Sequence, residues 1–495
     1  MVSHAHNMSK VDPMDESSSI SSQLLQRKRQ RIDSSCCDDE DGDYEKVNQY
    51  KGWVVPESNY QIPIISTEAD GDDLTPERFY QNYIRRRRPV VIRGKLPSEL
   101  KQLDTWKSGN GDMLQRAGEV SIMVEKRSNH NDSFGKGDEV PVSFRRFMEL
   151  IEEGDTMHYL TTQDVATDRD GRPELMSSFM KKLQGRDGDS GLAFPLRPKI
   201  AGNLVPQNIN IWIGNSKTGA SSGLHHDYHD NIYIVLRGTK RFRLFSPADT
   251  ENMYTRGELV KVHSNGRINY DGEITTAYGA DLESYAAALA AKAKEDAEER
   301  LAAAEKAVEE GKPGADEELE RAEAMLDQAM EAILDAETDG NDDDEEEEFC
   351  LETAKEEDVE GIDIDAMSSC SEEDHIDDDS KGDNECRIVD MTVKNPNNFS
   401  TADPAILDDR EKLKRDFPKM LDAKSAFCEC NAGDILYLPA SWFHEVTSSS
   451  GTGGDDHAKG HMAFNYWFHP PDAENDFEHP YTTDFWPNDF RDRSK

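Results

Sequence analysis

Potential metal ligands are concentrated in the stretch LHHDYHD, residues 224–230. It holds three histidines and two aspartates, and an alternating apolar run follows at once. In a β-strand, residues two apart point to the same face, so His225 and Asp227 project together whereas His226 projects away. A His-x-Asp pair of this kind can supply two neighbouring ligands to one metal ion. The next protein ligand has to come from another part of the chain.

The best candidate for that ligand is His444, an isolated histidine in the aromatic stretch LPASWFHEV. Two imidazoles and a carboxylate on one face leave three positions open, which is the facial triad of non-haem Fe(II) oxygenases. The carboxylate argues against blue copper, and the absence of thiolates argues against structural zinc. A lone His-x-Asp on a strand is more often a hydrogen-bonded pair, so the metal site depends on the rest of the pattern. His226 and His229 are interpreted as surface or entrance residues.

Three open positions suit a bidentate 2-oxo acid together with dioxygen. If the acid carries a second carboxylate, a cation is needed deeper in the fold, with hydroxyl or amide donors around it. The stretch RGTKR predicts a tight turn at Gly238 and Thr239. Lys240 then starts the next strand, close to the metal end and able to point inward.

The elements that must position these residues are predicted to be short β-strands joined by turns. Besides the two strands around Gly238, strand patterns occur at 88–94, 158–163, 208–214, 433–448 and 461–469. Two helices precede most of them, one capped by Thr75 with Pro76 after it and one at 142–154. This pattern predicts a mainly β fold, a β-barrel or jelly roll with flanking N-terminal helices.

The charge of the chain is concentrated in one segment. Of the net −44, a net −35 falls in residues 271–386, which hold 43 acidic and 8 basic side chains. We therefore predict an acidic insertion at 271–386 between two parts of one domain, 49–270 and 387–495. Helical patterns at 282–310 and 315–337 predict a hairpin within it, and the acidic tracts at 341–349 and 372–380 predict disorder. Residues 1–48 are predicted to be a disordered tail.

The composition also bounds the compartment and the partners. The seven cysteines have irregular spacings and form no CxxC pair, which favours a reducing compartment over a disulfide framework. We expect no membrane span and no signal peptide, and RKRQR at 27–31 is one possible nuclear address. These features predict a cytoplasmic or nuclear protein. No basic face for nucleic acid is visible, so direct nucleic-acid binding is not expected.

Three stretches, LHHDYHDNIYIVLRGTKRFRLF, GDILYLPASWFHEV and FNYW, together resemble the JmjC (cupin-like) Fe(II)/2-oxoglutarate-dependent oxygenases. The resemblance covers about 49–270 and 387–495 and is strongest to small JmjC-only protein hydroxylases, including a lysyl-hydroxylase type. It implies a double-stranded β-helix that uses Fe(II), 2-oxoglutarate and dioxygen. It implies that iron binds His225, Asp227 and His444. The implied contacts of 2-oxoglutarate are Lys240, Ser222 and Tyr159 at the far carboxylate, and Asn231 and Asn465 along the pocket.

The resemblance predicts hydroxylation of a protein side chain. One alternative is an enzyme of the same fold that demethylates N-methyl-lysine or N-methyl-arginine, as in histones, or that modifies tRNA. Another is a catalytically silent binding protein that works through the acidic insertion. Silent variants usually lose a metal ligand or the cosubstrate lysine, and neither is missing here. The field of the insertion should attract a basic protein, such as a ribosomal, histone or other RNA-associated one, unless the insertion is only a solvated spacer.

Overall fold

A computed structural model of the chain describes residues 47–66, 74–128, 137–167, 172–185, 193–217, 219–338, 396–450, 459–473 and 476–493. The predicted N-terminal tail lies outside these ranges except for its last two residues. The predicted disordered tracts at 341–349 and 372–380 lie outside them as well.

The described part of the chain contains many short strands, as predicted. In chain order they are Tyr60–Gln61 (β1), Ile64–Ser66 (β2), Val90–Arg93 (β3), Ser121–Lys126 (β4), Asp138–Ser143 (β5), His158–Tyr159 (β6), Pro206–Gly214 (β7), Ala220–Ser221 (β8), His225–His226 (β9), Asp230–Arg237 (β10), Thr239–Phe245 (β11), Leu259–Val262 (β12), Ile268–Tyr270 (β13), Ser425–Asn431 (β14), Ile435–Leu438 (β15), Phe443–Ser449 (β16) and His461–Phe468 (β17).

The α-helices are mostly short and lie before β7, within the insertion, between the insertion and β14, or after β17. They are Pro76–Phe79 (α1), Lys101–Trp106 (α2), Gly111–Ala117 (α3), Phe144–Glu153 (α4), Ser178–Gln184 (α5), Leu282–Glu309 (α6), Ala315–Thr338 (α7), Arg410–Asp416 (α8) and Phe485–Arg493 (α9). The side chain of Thr75 caps α1 and Pro76 is its first residue, as predicted. A π-helical turn, Tyr80–Ile84, continues α1.

Two six-stranded sheets form the centre of the molecule. One has the order β1-β14-β11-β16-β8, with β9 also paired to β16, and the other has the order β2-β3-β15-β10-β17-β7. Pairing is antiparallel except at β1–β14 and β2–β3. Apolar side chains from both sheets meet in one cluster that includes Val91, Tyr233, Val235, Phe242, Leu244, Ala426, Leu436 and Ala463. This arrangement confirms the predicted jelly roll.

The second sheet is buried on both faces, which explains why all of β10 is buried. Ile232, Ile234 and Leu236 face a second cluster formed with the N-terminal helices. Tyr233 and Val235, between them in sequence, face the space between the two sheets. Because side chains alternate along a strand, β10 separates a helix-packed core from the barrel interior.

The insertion contains the predicted helical hairpin, and its two helices pack against each other through alanines. The large apolar side chains of Leu282, Leu289 and Met330 are 38–49% exposed. The buried positions are alanines spaced seven residues apart: Ala290, Ala297 and Ala304 on α6, and Ala315, Ala322 and Ala329 on α7. Small side chains at this spacing let the two helices approach closely along their length.

The segment before the hairpin packs against the barrel domain. Tyr278 and Ala280 are buried with Tyr481, and the indole nitrogen of Trp486 donates to the carbonyl oxygen of Tyr278. Tyr285, in the first turn of α6, joins the edge of the same cluster. Thus residues 271–281, at the start of the predicted insertion, contact the domain from which the hairpin emerges.

Two strand boundaries differ from the sequence prediction. The stretch 433–448 forms two strands, β15 and β16, because a turn with Ser441 at a φ of 60° separates them. The predicted strand at 158–163 is limited to His158–Tyr159, and β14 was not predicted. Within the described ranges, no helix combines the length and the apolar composition needed to cross a lipid bilayer.

A buried ion pair joins the N-terminal segment to the start of β10. Arg87 donates from both terminal nitrogens to the carboxylate of Asp230, and both residues are almost fully buried. The same carboxylate accepts from the hydroxyl of Tyr437 at 2.8 Å and from the amide of Ala440 at 2.9 Å. The partner of Arg87 is thus a buried carboxylate from a distant part of the sequence.

Asp230→Asn should destabilise the protein by about 3–5 kcal/mol, because it leaves the Arg87 guanidinium buried without a counter-charge. Urea unfolding at pH 7 measures this free energy. Arg145→Ala, which removes an exposed pair with Glu119, is the control and should cost less than about 1 kcal/mol. Equal losses for the two variants would show that the buried pair has no special role.

Candidate metal centre and cosubstrate pocket

The structure brings His225, Asp227 and His444 together at one end of the barrel interior. His225 lies on β9 directly opposite His444 on β16, and Asp227 follows β9. The Nε2 atoms of His225 and His444 lie 4.0 Å and 3.7 Å from the carboxylate oxygens of Asp227. One ligand atom from each residue lies within 4.8 Å of the others. Strands from distant parts of the sequence therefore assemble one three-residue cluster.

Hydrogen bonds orient both imidazoles towards the cluster. Nδ1 of His225 lies 3.1 Å from the carbonyl oxygen of Gly223, and Nδ1 of His444 lies 2.8 Å from that of Trp442. A proton on each Nδ1 satisfies these carbonyls and leaves each Nε2 with a free lone pair. Burial, followed by the nearby His444, lowers the pKa of His225 to about 4. Both effects favour the neutral imidazole that a metal ion requires.

These residues fit a single Fe(II) ion. The donor set is two imidazoles and one carboxylate, which is the ligand set of non-haem iron oxygenases. The side chains of His225, Asp227 and His444 are 15%, 21% and 5% exposed, so the cluster is partly open to solvent. That opening is where a substrate can reach the metal.

The ends of the insertion border this opening. The ring of Phe399 stacks on the ring of His225 with centroids 4.7 Å apart. On the other side of the insertion, the carboxylate of Glu273 accepts from the Tyr228 hydroxyl at 2.8 Å and from the Asn397 amide at 2.9 Å. The described residues nearest to each end of the insertion thus meet next to the metal ligands.

The other two histidines of the opening motif are not ligands in this arrangement. His226 is fully buried and its Nε2 lies 2.8 Å from the Tyr270 hydroxyl, so its interpretation as a surface residue is wrong. The reason is that the outer face of β9 is covered by Tyr270 and Phe443. His229 stacks on Trp467, with ring centroids 6.1 Å apart.

Lys240 lies deep inside the barrel. It is 1% exposed, and its Nζ donates to the hydroxyl of Ser448 at 2.7 Å. Its predicted position close to the metal end is wrong. Leu244, not Lys240, pairs with His444. The offset of four residues between Lys240 and Leu244 corresponds to about 13 Å along the strand. The turn at Gly238 joins the ends of β10 and β11 that lie away from Asp227, so the lysine starts at the inner end.

The Lys240 ammonium has no anionic partner within the part of the chain that the structure describes. Burial lowers the pKa of Lys240 to about 7. A buried ammonium without a counter-charge is unfavourable unless a ligand supplies one. The far carboxylate of 2-oxoglutarate is an anion of the right kind for this position.

The predicted neighbours of Lys240 are only partly as expected. Tyr159 is almost buried, and its ring centroid lies 5.9 Å from Nζ of Lys240. The hydroxyl of Ser222 is held by the backbone, since it donates to the carbonyl of Gly223 and accepts from the amide of Val446, both at 3.1 Å. Ser448 is the serine that contacts the lysine, and it was missed. Strand alternation from His444 could have found it, because Ser448 lies four residues further on the same face.

Asn231 and Asn465 form a hydrogen-bonded chain across the pocket. The amide of Asn465 donates to Asn231 at 3.2 Å, and the indole of Trp212 donates to Asn465 at 2.8 Å. Both asparagines are buried on the inward faces of neighbouring strands. The structure therefore places all the predicted pocket residues in or beside one interior, between the metal cluster and Lys240.

Comparisons with known proteins agree with this architecture. A model of the cupin-like domain family matches residues 76–474. The chain is 34% identical to JmjC domain-containing protein 4 of Schizosaccharomyces pombe over 454 residues, which cover 88% of this chain and 90% of that protein. The chain therefore belongs to the JmjC (cupin-like) family, whose members are typically Fe(II)/2-oxoglutarate oxygenases.

Two shorter similarities concern proteins with named activities. Over 181 residues the chain is 26% identical to the bifunctional peptidase and (3S)-lysyl hydroxylase JMJD7 of Homo sapiens, covering 35% of this chain and 52% of that protein. Over 85 residues it is 35% identical to the lysine-specific demethylase JMJ32 of Arabidopsis thaliana, covering 17% and 22%. The family thus includes hydroxylases and demethylases.

Lys240→Met should stabilise the ligand-free protein by about 1–3 kcal/mol at pH 7, because it removes a buried ammonium that has no counter-charge among the described residues. The pKa of Lys240 is about 7 in the fold and 10.5 ordinarily, so the folded state holds fewer protons between these values. The destabilisation by the wild-type lysine is full below pH 7 and is lost as the pH rises towards 10.5.

Urea unfolding at pH 7 and pH 9 measures this effect, and the difference between variant and wild type should shrink at the higher pH. Lys199→Met, at an 84% exposed side chain, is the matched control and should change little. A Lys240→Met protein that is less stable than wild type at pH 7 would contradict the argument.

Proposed function

We propose that the protein is an Fe(II)- and 2-oxoglutarate-dependent dioxygenase that hydroxylates a protein side chain. The observation that carries the proposal is the pairing of two features in one interior. One is the partly open cluster of His225, Asp227 and His444, and the other is the buried Lys240 beyond it, which has no anionic partner among the described residues. A dicarboxylic 2-oxo acid bridges such a pair, because it offers a chelating end and a distant carboxylate.

The chain's own residues bind and orient the reactants. His225, Asp227 and His444 would hold Fe(II), which with bound 2-oxoglutarate and dioxygen supplies the oxidation of a C–H bond to C–OH, with succinate and carbon dioxide as coproducts. Lys240 fixes the far carboxylate. The chain of Trp212, Asn465 and Asn231 keeps the middle of the pocket in one arrangement, and the barrel walls exclude water from it.

Hydroxylation is favoured over demethylation by the extent of similarity. The match to the human protein named as a lysyl hydroxylase covers about twice as much of this chain as the match to the Arabidopsis demethylase. Demethylation of an N-methyl group and modification of tRNA remain the alternatives within the fold. Mass spectrometry distinguishes them, because hydroxylation adds one oxygen to a protein whereas demethylation removes a methyl group.

His225→Ala and Asp227→Ala should each reduce succinate formation to background, because either change removes a metal ligand. The assay supplies Fe(II), ascorbate, 2-oxoglutarate and candidate basic proteins, and metal content is measured alongside. His479→Ala, at a 76% exposed histidine, is the matched control and should keep wild-type turnover. If the wild type makes no succinate and binds no 2-oxoglutarate, the protein is instead a silent binding protein of the same fold.

We also propose that the acidic insertion recruits a basic protein partner, such as a ribosomal, histone or other RNA-associated one. In support, the hairpin of α6 and α7 (282–338) carries 17 acidic and 6 basic residues. Phe399 and Glu273, near the two ends of the insertion, border the metal opening. We place this partner in the cytosol or nucleus, where buried thiols such as Cys428 and Cys430 stay reduced.

Replacing residues 286–386 by a Gly-Ser linker should leave 2-oxoglutarate affinity within about twofold of wild type and weaken binding of a lysine-rich peptide by tenfold or more at low salt. The segment 271–285 is retained because it packs on the domain. Adding salt to the intact protein should weaken the binding of the peptide in the same way. If the replacement leaves peptide binding unchanged at low salt, the insertion is a solvated spacer.

A further inference from the structure

A histidine outside the predicted site, His461, lies at the inner end of the same barrel interior. It is the first residue of β17 and is fully buried. Along β17, Met462 and Phe464 face the helical layer, whereas Ala463 packs between the sheets. Because side chains alternate, His461 shares the inward face with Ala463 and Asn465. Its ring is therefore part of the wall of the pocket.

Two glycines make room for this ring beside Tyr159. A Cβ atom on Gly214, the residue paired with His461, would lie 3.0 Å from ring atom Cε1 of His461 and 2.6 Å from the Tyr159 ring. A Cβ atom on Gly238 would lie 2.9 Å from Cβ of His461. A Cβ atom at either position would crowd His461.

His461 and Lys240 approach the same tyrosine ring. The ring centroids of His461 and Tyr159 are 5.9 Å apart, and Nζ of Lys240 is also 5.9 Å from the Tyr159 centroid. The charge of Lys240 acts on His461: burial first, then Lys240 and Arg127, lower the pKa of His461 well below its usual range. The ring is thus neutral, with one N–H donor and one acceptor nitrogen.

Neither ring nitrogen of His461 has a hydrogen-bond partner in the described part of the chain. Buried polar side chains are normally paired, and an unpaired one is unfavourable. The neighbouring Lys240 likewise lacks a counter-charge there. Two donors that are both left incomplete, at one end of one pocket, indicate that the same bound anion completes both.

We propose that His461 is a cosubstrate-binding residue that donates an N–H hydrogen bond to the far carboxylate of a 2-oxo dicarboxylic acid, beside Lys240. The inference rests on the proposed function, since it takes 2-oxoglutarate as the ligand. A carboxylate has about four lone-pair sites, so it can accept from both side chains at once. Lys240 supplies the charge, and His461 supplies a neutral donor that fixes where the carboxylate ends.

The test compares two ligands that differ only at the far end. 2-Oxopentanoate has the keto acid group of 2-oxoglutarate but a methyl group in place of the far carboxylate. Full-length protein loaded with Mn(II) is titrated with each ligand, and calorimetry and the ligand-induced change in Tm are recorded. His461→Leu should weaken the binding of 2-oxoglutarate by about 10- to 100-fold, which is the effect of losing a hydrogen bond to a charged group. It should change the affinity for 2-oxopentanoate by less than about twofold.

His461→Gln keeps an N–H donor and should lose less affinity for 2-oxoglutarate than His461→Leu. The leucine variant removes an unpaired polar group, so without ligand it should melt no lower than wild type. If it does not fold, the comparison of the two ligands is made with His461→Gln and His461→Asn, and the expected selective loss for 2-oxoglutarate is the same in direction.

The inference is overturned if His461→Leu binds 2-oxoglutarate as tightly as wild type, or if both ligands lose affinity equally. In the first case the ring only fills space or holds a water molecule, and in the second it only supports the pocket's shape. Failure of the proposed function looks different, because the wild-type protein itself would then bind no 2-oxoglutarate. Lys240→Met, measured in parallel, gives the loss of 2-oxoglutarate affinity that is expected when the positive charge is removed.

Discussion

The buried pair of Arg87 and Asp230 holds together the parts of the chain from which the metal centre is built. Asp230 begins β10 three residues after Asp227, and its carboxylate also accepts from the amide of Ala440, in the turn that leads to His444. One carboxylate therefore fixes two segments that lie about 200 residues apart in sequence. Since neither ion can be left unpaired in the interior, this pair restricts where the segments that carry Asp227 and His444 can lie.

The barrel interior is closely packed at its periphery, whereas two polar side chains at its centre lack a counter-charge or a hydrogen bond within the described residues. Phe242, Leu244 and Val235 close the space between the sheets. Further inside, Lys240 has no counter-charge in the described structure and His461 has no hydrogen bond there. Such groups lower the stability of the ligand-free fold, and the surrounding packing has to compensate. Under the proposed function the same groups would make the interior selective for an anion, because a neutral ligand would leave them unsatisfied.

Features that follow from the periodicity of side chains along a strand could be predicted from the sequence, whereas features that depend on tertiary packing could not. Two-residue alternation sufficed to join His225 to Asp227 and to predict the jelly roll. The predicted position of Lys240 at the metal end was wrong, because β10 runs away from Asp227 before the turn at Gly238. Lys240, near the start of β11, therefore lies at the opposite end. β14 was missed because its inward residues, Ala426, Cys428 and Cys430, are small and weakly apolar. The partner of Arg87 lies 143 residues away, and no local pattern indicates it.

The length of the hairpin has an electrostatic consequence. A 28-residue helix extends for about 42 Å, and α6 contacts the domain through Tyr285 in its first turn. Mobile ions screen exposed charges beyond about 8 Å in physiological salt. The acidic side chains along most of the hairpin are therefore several screening lengths from that attachment. The protein can carry a large negative charge on this appendage while the potential at its attachment is set by nearby residues alone.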